Sequence, residues 1–116
     1  KLQTNDARIM DAAYRGGEIT YVQNTINFPS KKAAIGFGVL SNLDKTPTQR
    51  LYIIHSDSME FGYPSLAYIN SNEFDKRQII SFSHSSTTLY PGTSAVFFNG
   101  NDNSSFRRSR IRKTDE

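Results

Sequence analysis

The chain has no cysteine and no tryptophan among its 116 residues. Without cysteine there is no disulfide staple, no thiolate zinc site and no thiol nucleophile. Long apolar runs are also missing: the longest, Ala33 to Leu40, is interrupted by Gly36 and Gly38 and is far shorter than the roughly 20 residues a membrane-crossing helix needs. Helical periodicity is scarce, because no window of eleven or more residues keeps apolar positions at i, i+3, i+4 and i+7 free of Gly, Pro or a β-branched cluster. Excess charge of one sign is confined to one place. Of 14 Lys and Arg and 11 Asp and Glu, the last ten residues hold Arg107, Arg108, Arg110, Arg112 and Lys113 against Asp115 and Glu116, which leaves nine of each sign elsewhere. A nucleic-acid binder spreads its cations along a face of the fold, so this neutral body argues against nucleic acid as a partner. The start at Lys1 carries neither an initiator Met nor a charged-then-apolar leader, so a processed chain or a piece of a longer protein is expected.

Strand signals take the place of helical ones. Ala7 to Arg15, Glu18 to Ile26, Ala33 to Ser41 and Gln49 to Ser56 are runs of apolar, Tyr and Thr residues separated by Gly16-Gly17, by Asn27 to Ser30 and by Asn42 to Thr48. The second half continues with Ser65 to Asn70, Gln78 to Ser85, Thr93 to Asn99 and Phe106 to Lys113. The expectation is one all-β unit over 1–116 with about eight antiparallel strands, a first four-stranded repeat over 5–57 and a second over 63–113.

The halves can be superposed at offsets of 54 to 61 residues: Ala12-Ala13-Tyr14 on Leu66-Ala67-Tyr68, Thr20-Tyr21 on Ser81-Phe82, and Ala34 to Phe37 on Ala95 to Phe98. A four-stranded antiparallel unit recurring at this spacing is the sequence pattern of β-propeller blades, each buried on both faces by its neighbours. A closed β-sandwich or barrel is the alternative. Two blades cannot close a ring, so the propeller reading expects apolar faces bearing Ile35, Phe37, Val39, Val96 and Phe98 to need cover from further blades of a longer chain or from another protein.

Tyr63-Pro64-Ser65-Leu66-Ala67, Ile80 to Ser85 and Tyr90-Pro91-Gly92, together with Asn5 to Ile9 and Gly17 to Val22, resemble the blades of large secreted β-propeller proteins of Gram-negative bacteria with sialidase-like architecture. The resemblance touches about half the chain. That family's Asp-box, Ser-x-Asp-x-Gly-x-Thr-Trp, is absent with the tryptophan it requires. The resemblance implies an exported, often cell-surface protein; with no converging catalytic set in the sequence, the expectation for the chain is a binding or scaffold role without self-contained catalysis. It leaves open a fragment of a sialidase-like glycoside hydrolase, and carbohydrate as a ligand.

Several residue groups carry candidate chemistry. His55-Ser56-Asp57 and Ser83-His84-Ser85 place hydroxyls beside imidazoles, but adjacent strand residues face opposite ways, so a nucleophile and base would have to meet across strands. Asp6, Arg8, Asp11, Arg15, Glu18 and Tyr63 are the residue types of a glycosidase site, which needs them to converge on one cleft. Asn99, Asn101 and Asn103 present oxygens at alternate positions, as a calcium loop does, although Arg110 stands where a bidentate Glu belongs; the competing reading is a turn. Arg108, Arg110 and Arg112 share one face of a strand and suit the sulfates or phosphates of an anionic polymer, or else blunt an edge strand. Ser58, in Asp57-Ser58-Met59, resembles the signal at which some of the same bacteria O-glycosylate exported proteins.

Overall fold

The computed structural model describes residues 8–88 and 91–99, and the backbone of 107–111. Eight strands follow one another: β1 (Ile9–Arg15), β2 (Glu18–Asn27), β3 (Lys32–Ser41), β4 (Thr48–Ile54), β5 (Glu60–Tyr68), β6 (Gln78–Ser85), β7 (Gly92–Phe98) and β8 (Arg107–Ile111). No helix occurs among the described residues. Each strand pairs antiparallel with its sequence neighbour, giving two four-stranded up-and-down sheets, β1-β2-β3-β4 and β5-β6-β7-β8. The sheets share no hydrogen-bonded strand pair, so among the described residues no barrel closes. They stack face to face instead.

The stack is driven by one face of each sheet. Val22, Ile35, Phe37 and Val39 from the first sheet meet Phe61, Ile80, Phe82, Val96 and Phe98 from the second, all essentially excluded from solvent. Phe37 and Phe98 meet edge-on with ring centroids 4.9 Å apart, and Phe61 lies 4.6 Å from Phe82. Such tilted contacts between sheets add to the roughly 1.5–3 kcal/mol that each buried apolar side chain contributes.

This arrangement corrects one expectation. Ile35, Phe37, Val39, Val96 and Phe98 do not form uncovered outer faces; they are the core between the sheets. The unbroken apolar run of β3 suggested burial by a packed sheet on each side. Its second face is Ala34, Gly36 and Gly38, and neighbouring β2 covers the two glycines. A Cβ at Gly38 would lie within 2.4 Å of the Tyr21 ring, and one at Gly36 would lie 3.2 Å from Gln23 Cγ. The glycines let these side chains lie flat on the sheet.

The outer faces differ from each other. On the first sheet Ile9, Tyr14, Leu51 and Ile53 stay exposed, Leu51 by 54%. The second sheet presents Ser65, Ser81, Ser83 and Thr93 toward one end of its outer face and Ala67, Ile79 and Phe97 in register at the other, with Ser65 and Ser81 hydroxyls 2.9 Å apart. The superposed halves also split by face. Ala12 faces outward where its match Leu66 faces the core, and buried Thr20 matches outward Ser81; Ile35 and Phe37 match Val96 and Phe98, which face the same core. Because side-chain direction has a period of two, a match by residue type slips one residue at β7, and Phe97 is the counterpart of Phe37 if faces exchange throughout.

β5 begins at Glu60, three residues ahead of the expected second repeat, and not at Ser65. A bulge between Gly62 and Ser65 accommodates Pro64 and holds Tyr63 at φ 54°. As the edge of its sheet β5 carries N–H groups that face away from β6, and the first sheet accepts them: Tyr63 N–H donates to Asn24 Oδ1 (3.1 Å) and Leu66 N–H to Asp11 Oδ2 (2.9 Å). Buried Gln78 adds a third tie, its Nε2 donating to Thr20 Oγ1 at 2.9 Å. These bonds fix one sheet's position on the other while satisfying groups that would be costly to bury alone.

Candidate binding end

The tips of β1–β2, β3–β4 and β5–β6 gather at one end of the stack. Arg15, the last residue of β1, reaches across to the loop after β5. Its Nη1 donates to three backbone carbonyls, of Asn70 (3.1 Å), Asn72 (3.0 Å) and Asp75 (3.0 Å), while its Cζ sits 3.8 Å above the Tyr68 ring. A guanidinium is planar and always charged, so it can serve a ring of carbonyls on one edge and an aromatic face beneath. Burial raises the Tyr68 phenol above its ordinary value, the largest influence on it.

The loop braces itself as well. Asn72 N–H donates to Asn70 Oδ1 and Phe74 N–H to Asn72 Oδ1, each at 2.9 Å; Asn70 Nδ2 donates to Asp75 Oδ2 at 2.7 Å. Asp75 also accepts from the Arg77 backbone and from Arg77 Nε at 2.9 Å. The Arg77 side chain is the main reason the Asp75 carboxyl is held well below the usual carboxylate range. Lys76 folds back over the β1–β2 turn, where a Cβ on Gly16 would come 2.7 Å from its Cε. Gly16 and Gly17 both have positive φ, so this turn requires glycine for its backbone and, at Gly16, for the lysine lying across it.

Two shallow clefts flank Lys76. One, of about 420 Å³, runs between Tyr14, Glu18, Asn42, Asp44 and Lys76; the other, of about 400 Å³, is lined by Asn72, Phe74, Asp75, Lys76, Arg77 and Asn99. Each has one aromatic residue at its border, Tyr14 exposed by 67% and Phe74 by 86%. The cations are paired with carboxylates: Glu18 lies 3.9 Å from Lys76 and 4.0 Å from Arg50, and Arg77 is held by Asp75.

The glycosidase-type residues do not converge on either cleft. Asp11 is bound to the Leu66 amide, Arg15 is held inside the loop, Glu18 is ion-paired and Tyr63 sits on the β5 bulge. Arg8 is exposed ahead of β1, and Asp6 lies outside the described residues. A cross-strand hydroxyl–imidazole pair does exist, His84 Nδ1 to Ser94 Oγ at 2.7 Å, but both residues are buried in the stack and no substrate can reach them. His55 is exposed, 3.3 Å from Asn27 Nδ2.

Asn99 is exposed at the end of β7, whereas Asn101 and Asn103 lie outside the described residues. No group of three or more metal-ligating side chains occurs among the described residues. Arg108 and Arg110 belong to β8, in register with Val96 and Ser94; their side chains and all of Arg112 lie outside the described residues. Ser58 is exposed in a tight turn where Ser56 Oγ accepts from the backbone of Ser58 (3.1 Å) and Met59 (3.2 Å). Among described residues no helix is long and apolar enough to cross a membrane.

Sequence reasoning passed over Tyr14, Asn72, Phe74 and Lys76. Read as a linker, 71–77 hid its one signal, a lone Phe among turn-forming polar residues that no strand pattern requires. The chain matches no family model, no curated protein and no solved structure.

Proposed function

We propose that this chain is a pair of successive blades from a larger exported β-propeller protein, with a binding or scaffold role and no catalysis of its own. The observation that carries the reading is the pairing of two consecutive four-stranded meanders by one face, with the outer face of the first sheet left apolar at Ile9, Tyr14, Leu51 and Ile53. A further four-stranded sheet is the partner that fits, since the stack already shows such a sheet packing on such a face. Matched residues of β1 and β5, and of β2 and β6, exchange faces as units turned successively in one sense require, while those of β3 and β7 face the same core. Export and a surface location follow from the sequence resemblance.

The test is the solution state of residues 1–116. The isolated chain is expected to self-associate above 13.1 kDa in light scattering and to bind a hydrophobic dye, and Leu51→Ser with Ile53→Ser to suppress both. A wild-type monomer that melts cooperatively without binding dye overturns the reading in favour of a self-contained sandwich.

A further inference from the structure

We infer that the cleft beside Phe74 is a binding site for a neutral carbohydrate, with Phe74 as the stacking platform and the Asn72 and Asn99 amides as hydroxyl partners; this rests on the binding role proposed above. The argument begins with the loop. Ten hydrogen bonds hold residues 70–77: three from Arg15 to the Asn70, Asn72 and Asp75 carbonyls, and seven within the loop, among them two from the Arg77 guanidinium to the Asp75 carboxylate and one from the Asp75 N–H to the Asn72 carbonyl. Such a loop loses little entropy when a ligand binds, which is the general condition for a useful affinity from a small contact. Yet the residue at its apex, Phe74, is 86% exposed and packs on nothing that the fold needs. A rigid frame presenting a bare aromatic ring is the arrangement of a binding anchor.

The lining then selects the ligand class. An apolar small molecule wants a mostly apolar cavity, whereas five of the six lining residues here are polar or charged. A polyanion wants uncommitted cations, but Arg77 is engaged by Asp75 and Lys76 stands 3.9 Å from Glu18. What remains is one ring face and two amides. Asn72 uses its Oδ1 for the Phe74 amide, and its Nδ2 has no hydrogen-bond partner among the described residues; nor does the Asn99 side chain. Sugars match this set: their C–H faces are apolar enough to stack on an aromatic ring, and their hydroxyls pair with amides, which donate and accept without net charge.

Saturation-transfer NMR on the unlabelled 116-residue chain tests the site whatever the protein's association state. Maltopentaose, cellopentaose and xylopentaose are each offered at about 10 mM, enough to fill a site with a Kd near 1 mM. The expected result is transfer to ring C–H protons of at least one of them, weakened at least tenfold by Phe74→Ala and retained by Phe74→Tyr. The outer-face variant Leu51→Ser with Ile53→Ser is expected to bind as wild type, so a failed blade reading and a failed sugar site give different results. No transfer from any of the three, transfer untouched by Phe74→Ala, or binding of heparin alone overturns the inference.

Discussion

Replacing Gly38 by Ala should destabilise this protein, and removing the Tyr21 ring should turn the same substitution into a stabilising one. In register opposite Gly38, Tyr21 lays its ring across the glycine, is 9% exposed and accepts a hydrogen bond from Gln49 Nε2. A Cβ at Gly38 would stand 2.2 Å from Tyr21 Cζ, so the ring must swing away. The swing loses a hydrogen bond of about 1 kcal/mol and about half the ring's burial, another 1–1.5 kcal/mol or so. Against this, Ala is better than Gly inside a strand by about 0.5–1 kcal/mol. The net effect of Gly38→Ala is a loss of about 1.5 kcal/mol, or a Tm lower by roughly 5 °C or more. In a Tyr21→Ala background the atoms nearest the new methyl are gone, and Gly38→Ala should gain about 0.5–1 kcal/mol. Urea unfolding of the four proteins, followed by far-ultraviolet circular dichroism, gives the coupling, expected to be about 2–2.5 kcal/mol, the cost of the ring swing alone. Equal effects of Gly38→Ala in the two backgrounds would refute the idea that the tyrosine is why β3 has glycine there.

Arg15→Lys keeps the charge and three N–H donors, but its nitrogen sits one bond closer to the backbone and it lacks the planar guanidinium that lies on Tyr68, so native-state hydrogen exchange should show the Asn72, Phe74 and Arg77 amides losing protection while the core amides keep theirs. Gln78 Oε1 is buried without a hydrogen-bond partner among the described residues, so Gln78→Met should stay within about 1 kcal/mol of wild type in denaturant titration, whereas Phe37→Ala should cost about 3–5 kcal/mol. The Tyr68 phenol, raised above its unfolded value of 10.0, lends stability that is complete below pH 10 and lost as pH rises through its folded value; Tyr68→Phe should flatten the alkaline limb of a Tm-against-pH curve. Asp75, depressed in the folded state, gives the opposite sign: its contribution is complete above the usual carboxylate range and is lost only as pH falls through its lower folded value, so loop-amide protection should persist to pH 3 in wild type and not in Asp75→Asn.

The sequence alone determined that this protein is all-β, because alternation, β-branched and aromatic residues and closely spaced turn-formers are local properties, and Gly16-Gly17 fixed the first hairpin to the residue. It placed β6 at both ends and most other strands to within one or two residues. What it could not supply was which way each strand faces its neighbours. An unbroken apolar strand such as β3 reads the same whether another sheet or its own Tyr21 and Gln23 cover the second face. β5 was misplaced because Gly62 and Pro64 look like a turn until the side chains of Asn24 and Asp11, some forty and fifty-five positions away, secure the bulged edge. The candidate site was the least legible part. Phe74 is one aromatic in a polar linker until Arg15 closes the loop from the opposite sheet, and that meeting depends on how two sheets stack, a long-range outcome that no local pattern encodes.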